Sequence, residues 1–158
     1  PPEVTVSLRL AGADDRDVVE HLAQLEQHDL SDITGELPGD DGRFDVALDR
    51  FFGDPGCAAY LIDDDGAPVG FALVRPVEGT AFVHSFFVVR SRRRRGVGAE
   101  AALALLAAHD GPWTIAFVER YEAAARFWRT VATRYAGDTW TEERRDHAGE
   151  TFGWITLP

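Results

Sequence analysis

One stretch of this chain, Ala81 to Leu106, leaves few ways to fold. It reads AFVHSFFVVRSRRRRGVGAEAALALL. The opening run, Ala81 to Val89, is rich in Phe and Val, residues that suit a buried strand. Four consecutive arginines follow, Arg92 to Arg95, and then Gly96-Val97-Gly98. From Val97 onward the residues are almost all apolar, which reads as a helix buried on most sides. A strand must therefore turn through a basic corner into a buried helix. A helix start offers unpaired N–H groups and a partial positive charge. Glycines let backbone approach a ligand closely, and arginines add charge-assisted donors. The corner is built to hold an anion, with the rigidity a diphosphate cradle needs.

The rest of the chain supplies a domain around that corner. Its 158 residues, 45% of them apolar, are enough for one core, so residues 1–158 read as a single domain. Glu3 to Leu10 alternates like a strand. Asp14 or Asp15 caps a helix with apolar positions Val18, Val19, Leu22 and Leu25. Asp29 to Phe44 reads as a loop or broken helical link, and Phe44 to Phe52 as a second short helix. Ala58 to Ile62 and Pro68 to Val74 form a hairpin around Asp63-Asp64-Asp65-Gly66. Glu78-Gly79 turns the chain into the strand Thr80 to Val89. A helix over Val97 to His109, a strand over Trp113 to Val118 and a helix over Glu122 to Tyr135 follow. Thr139 to Glu142 and Thr151 to Leu157 close the order as strands. This is an α/β pattern whose sheet is antiparallel first and gains one parallel crossover late.

Composition removes several functions. The net charge is −11 and every one of the 16 basic residues is arginine, so general nucleic-acid binding is not expected. The single cysteine, Cys57, rules out an internal disulfide. No apolar run approaches the roughly 18 residues that span a bilayer. The N-terminus, PPEVTVSLRL, shows no secretion signal, which points to a cytoplasmic protein. His21, His28, His109 and His147 have no metal-ligand spacing, so no metal is expected. No G-x-S-x-G elbow is present.

Two motifs add a resemblance. Arg93-x-x-Gly96-x-Gly98 resembles the acyl-CoA-binding signature of the GNAT N-acetyltransferase superfamily, Q/R-x-x-G-x-G/A, which lies between that family's fourth strand and third helix. Tyr121-x-x-Ala124-x-x-Phe127-Trp128 resembles the family's fourth-helix pattern, N-x-x-A-x-x-F-Y/W. The element order is similar over nearly the whole chain. The resemblance implies a mixed sheet of about six to seven strands flanked by about four helices, with a V-shaped split between strands four and five. It implies acetyl-CoA as co-substrate and an amine acceptor that attacks the thioester directly in a ternary complex. Backbone groups of Phe86 and Val88 would pair with the acyl oxygen and pantetheine arm. Amides of Arg94, Arg95, Gly96, Val97, Gly98 and Ala99 would hold the diphosphate, and arginine side chains, Arg93 included, would reach the 3′-phosphate. Trp128 stands where a tyrosine often protonates the leaving thiolate, so the phenol of Tyr121 is the candidate acid and a further cofactor contact. His84, on the fourth strand, is the candidate proton acceptor. By strand parity it faces the same side as Phe82, Phe86 and Val88.

Two other readings stand beside this one. Tyr121 and Trp128 depart from the family pattern, which suits a non-catalytic acyl-CoA-binding or regulatory domain. Gly96-x-Gly98-x-x-Ala101, with Glu119 about 20 residues on, fits an NAD-type dinucleotide fingerprint, but the glycines do not directly follow the strand. The acceptor side falls on Glu26 to Phe52 and Thr139 to Phe152. Glu26, His28, Asp29, Asp32, Glu36 and Glu142 there suit a cationic amine. A homodimer is common in the family.

Overall fold

The computed structural model describes residues 5–158. Of the expected first strand, Glu3 and Val4 lie outside the described residues. The chain forms one seven-stranded sheet in the order β1-β2-β3-β4-β5-β7-β6. The strands are β1 (Val6–Leu10), β2 (Ala58–Asp64), β3 (Ala67–Val77), β4 (Thr80–Val88), β5 (Trp113–Val118), β6 (Thr141–His147) and β7 (Glu150–Leu157). Every neighbouring pair is antiparallel except β4 and β5. With only one parallel pair, this is not the mostly parallel sheet of a dinucleotide fold.

Among the described residues three α-helices cover the sheet: α1 (Arg16–Thr34), α2 (Val97–Ala107) and α3 (Glu122–Ala136). The helix expected over Phe44 to Phe52 is reduced to a 3-10 turn, Asp49–Phe52. Its first residues stay irregular because the Gln24 amide takes both backbone groups of Phe44, each at 2.8 Å. Only Leu48 and Phe51 of this segment are buried, too few to hold a longer helix against the sheet.

The two sheet faces have separate cores. On one, α1 and the 3-10 turn bury Val19, Leu22, Ala23, Leu48 and Phe51 against Leu61, Phe71, Leu73 and Phe87. On the other, α2 and α3 bury Ala102, Leu105, Leu106, Trp128 and Val131 against Ala72, Val74, Val83, Trp113 and Ile115. Each large side chain so buried contributes roughly 1.5–3 kcal/mol. The Trp113 indole donates to the Leu106 carbonyl at 3.0 Å, tying β5 to the end of α2. At the other end, Val97 and Ala101 pack against Ile62, Val69 and Val88. The start of α2 is therefore fixed beside the end of β4. Among the described residues no helix is long and apolar enough to cross a membrane.

Candidate functional site

The site begins where two strands part. β4 and β5 pair only at Ala81↔Trp113, Phe82↔Thr114 and Val83↔Ile115. β4 then runs on to Val88, and β5 runs on to Val118 along β7. Past Val83 the facing edges of β4 and β5 are no longer joined, which opens a split.

The exposed edge of β4 follows from its pairing with β3. Val89 donates to the Val69 carbonyl at 2.8 Å. Phe87 lies two residues back, opposite Phe71, and so belongs to the same hydrogen-bonded set. Phe86 and Val88 alternate with it and turn their N–H and C=O groups toward the split. The Val88 carbonyl already accepts Arg93 Nε at 2.7 Å. Val88 N–H and both polar groups of Phe86 are left on that edge.

An aromatic wall lines the split on the α2/α3 face. The ring of Phe86 meets Trp128 at 5.2 Å and Phe127 at 5.8 Å, and Phe127 meets Trp128 at 4.8 Å. Trp128 is buried. Tyr121 is the N-cap residue of α3, half-buried beside the end of β5, with the Arg120 guanidinium 4.9 Å from its ring. Its N–H donates to the Val118 carbonyl at 3.0 Å, which closes the β5 arm.

The basic corner adjoins the far end of β4. A 3-10 turn, Arg90–Arg92, leads to Arg94 and Gly96, which both hold left-handed backbone with φ of 64° and 81°. Glycine adopts this conformation freely and arginine does so at a cost, so a non-glycine there marks a built turn. α2 starts at Val97 behind the N-cap Gly96, and among the described residues no side chain caps its first-turn N–H groups. Gly98 faces α3 so closely that a Cβ there would stand 3.3 Å from the Phe127 ring.

The arginines of the run divide into two sets. Arg90 and Arg93 both bind Asp29 of α1, at 2.7 and 2.6 Å. Arg92 binds Asp64 at 3.1 Å. Partial burial pulls the Asp29 carboxyl upward, but Arg93 and Arg90 outweigh it and hold the group below its ordinary value. Arg94 and Arg95 are exposed and form no ion pair among the described residues. The sequence expectation of an undivided anion-binding run is therefore refined. Arg93 braces β4 and α1, and Arg94 and Arg95 remain available.

The structure departs from sequence parity at His84. Leu73 pairs with Ser85 and Val74 with Val83, so His84 is the extra residue of a β-bulge. The bulge puts His84 and Phe86 on opposite faces. Val83, Phe86 and Val88 pack toward α2 and α3. His84 instead lies 4.9 Å from the Phe51 ring, on the α1 face. Its Nδ1 accepts from Arg75 Nε at 3.0 Å. Desolvation, with the charges of Arg75 and Arg50, lowers its pKa to about 4. The neutral ring therefore carries its proton on Nε2 and presents a donor. The proton-acceptor role read from the sequence would require His84 to leave Arg75.

Glu26 is the residue whose chemistry the sequence reading missed, although it was placed on the acceptor side. It is buried in α1 beside Ser85, the residue after the bulge. Desolvation raises its pKa to about 7, with Ser85 opposing the rise and Asp29 adding to it. The available signal was periodicity. Val19, Leu22 and Ala23 mark the buried stripe of α1, and Glu26 occupies its next position.

The sequence model of the acetyltransferase (GNAT) family matches residues 20–132. No curated protein matches the sequence. Among solved structures, the chain is similar to spermidine N-acetyltransferase from Vibrio cholerae in complex with CoA and spermine. That likeness has a TM-score of 0.70 at 8% identity and covers 97% of this chain and 95% of the other. It is also similar to the ribosomal-protein-S18-alanine N-acetyltransferase from Escherichia coli, with a TM-score of 0.66, 14% identity, and coverage of 97% and 93%. An acetyltransferase from Bacillus anthracis in complex with acetyl coenzyme A gives a TM-score of 0.63, 13% identity, and coverage of 96% and 97%.

Proposed function

The chain belongs to the acetyltransferase (GNAT) family, and from that premise we propose that it transfers an acetyl group from acetyl-CoA to an amine by direct attack in a ternary complex. The observation that carries this reading is the parting of β4 and β5 after Val83 and Ile115, beside the uncapped start of α2. The free edge at Phe86 and Val88 suits an extended pantetheine arm, which adds to it as a strand would. The amides from Arg94 to Ala99, with the Arg94 and Arg95 guanidinium groups, suit the phosphates. Phe127 and Trp128 form the wall against which the arm packs.

The chemistry asked of this chain is chiefly placement. Holding amine and thioester together removes an entropic barrier, and backbone N–H groups aimed at the acyl oxygen stabilise the developing oxyanion. His84, as a neutral donor on the α1 face, orients the acceptor. Tyr121, on the β5 arm, is the candidate donor to the departing thiolate. Trp128 has no acidic proton to give, and this favours a second reading, a domain that binds acetyl-CoA without turning it over.

A thiol-release assay with acetyl-CoA and a panel of polyamines, small primary amines and peptide N-termini separates the two readings. Amine-dependent release of free CoA is expected. Tight acetyl-CoA binding with no release across the panel would leave the non-catalytic reading standing.

A further inference from the structure

Cofactor binding does not account for Glu26. On the buried stripe of α1 a leucine would complete the core, whereas a carboxylate there loses its hydration. Its location gives it a use. The Ser85 hydroxyl lies beside it, and Ser85 follows the bulged His84 on β4. Val83, two residues before Ser85, is the last β4 residue joined to β5. The carboxyl group thus stands on the α1 face where the split opens, across the sheet from the aromatic wall.

The neighbouring cations do not neutralise it. Arg90 and Arg93 bind Asp29, one helical turn along α1, and Arg75 is engaged by His84. The charged group that acts on Glu26 is Asp29, on its own helix and paired with those two arginines; on β4 the residue before Ser85 is His84, on which Arg75 of β3 and Arg50 of the 3-10 turn act. Among the described residues Glu26 forms no ion pair, so a cationic ligand would find an unspent carboxylate there.

We propose that the Glu26 carboxylate is the proton acceptor for the amine nucleophile, positioned by the Ser85 hydroxyl. This rests on the acetyltransferase reading above. Glu26 takes one proton from the ammonium group, and the neutral amine nitrogen attacks the thioester carbonyl carbon. The C–N bond forms and the C–S bond breaks. A second proton from nitrogen passes to the departing thiolate, and Glu26 returns its proton to solvent. Desolvation has already raised this carboxyl to about 7, the range in which a base works best near neutral pH.

The test measures kcat and KM against pH for wild type, Glu26→Gln, Glu26→Asp and Ser85→Ala, with acetyl-CoA and the best amine from the thiol-release panel. Wild-type kcat is expected to fall as pH drops below about 7. Glu26→Gln should lower kcat by about 10²–10⁴-fold, abolish that acidic limb and leave the KM for acetyl-CoA unchanged. Glu26→Asp should keep the limb at reduced rate. Ser85→Ala should move the limb to higher pH, because the hydroxyl that favours the carboxylate is gone. A Glu26→Gln enzyme with wild-type kcat and an intact limb overturns the proposal. If that variant fails to fold, an unmoved limb in Ser85→Ala overturns it. Absence of wild-type thiol release would instead remove the acetyltransferase reading, and the proposal with it.

Discussion

Replacing Glu26 with glutamine should stabilise the protein at alkaline pH even as it removes a catalytic group. The pKa of this buried carboxyl is raised from 4.5 to about 7, mainly by desolvation. The native state thus holds the proton more tightly than the unfolded chain does. The stability linked to that proton is fully present below about pH 4.5 and is lost as pH rises through about 7. At about 1.4 kcal/mol for each factor of ten, keeping the charged form costs the native state about 3 kcal/mol above that range. Glutamine preserves the shape and an acceptor oxygen, and it carries no charge. Urea unfolding of both proteins across pH isolates the effect, because the other carboxylates cancel in the difference. The advantage of Glu26→Gln should grow by about 2.5 kcal/mol between about pH 5 and about pH 8.5. A difference that stays flat with pH would refute the reasoning, since it would mean that Glu26 is solvated or already paired.

The packing around the split makes further claims. Gly98→Val should weaken acetyl-CoA binding by calorimetry, because its Cβ would stand 3.3 Å from the Phe127 ring, which would have to shift in the wall of the split. Gly70→Ala should cost about 1–3 kcal/mol or more in thermal unfolding, since a Cβ there would lie 2.1 Å from the Phe87 carbonyl oxygen, backbone that has no room to yield. Arg94→Ala combined with Arg95→Ala should weaken acetyl-CoA binding and flatten its salt dependence, with the unfolding midpoint unchanged, because neither side chain forms an ion pair among the described residues.

The sequence carried the fold because its signals were local and consistent. Trp113 to Val118 forms the expected strand to the residue, and the Asp63 to Gly66 turn joins β2 to β3 with Asp65 and Gly66 at positive φ. The helix expected over Phe44 to Phe52 is cut short because a side chain on another element, Gln24, takes the backbone bonds of Phe44. Strand parity misplaced His84 because nothing in the local pattern announces a bulge. The extra residue becomes visible only in the register between β3 and β4. The arginine run was legible as an anion site, but its division was not, since Asp29 lies 61 residues before Arg90 in the chain. Glu26 was masked by Leu25, which completes an apolar pattern on paper. The helix rotates Leu25 outward, to 51% exposure, and seats Glu26 in the core.

The most direct test of the central claim is an amide chemical-shift titration with acetyl-CoA. If the corner of β4 and α2 holds the diphosphate and the split holds the arm, the amides of Phe86, Val88 and Arg94 to Ala99 should shift together and saturate at one equivalent. Saturable binding that leaves those amides unmoved and shifts another surface would contradict the account.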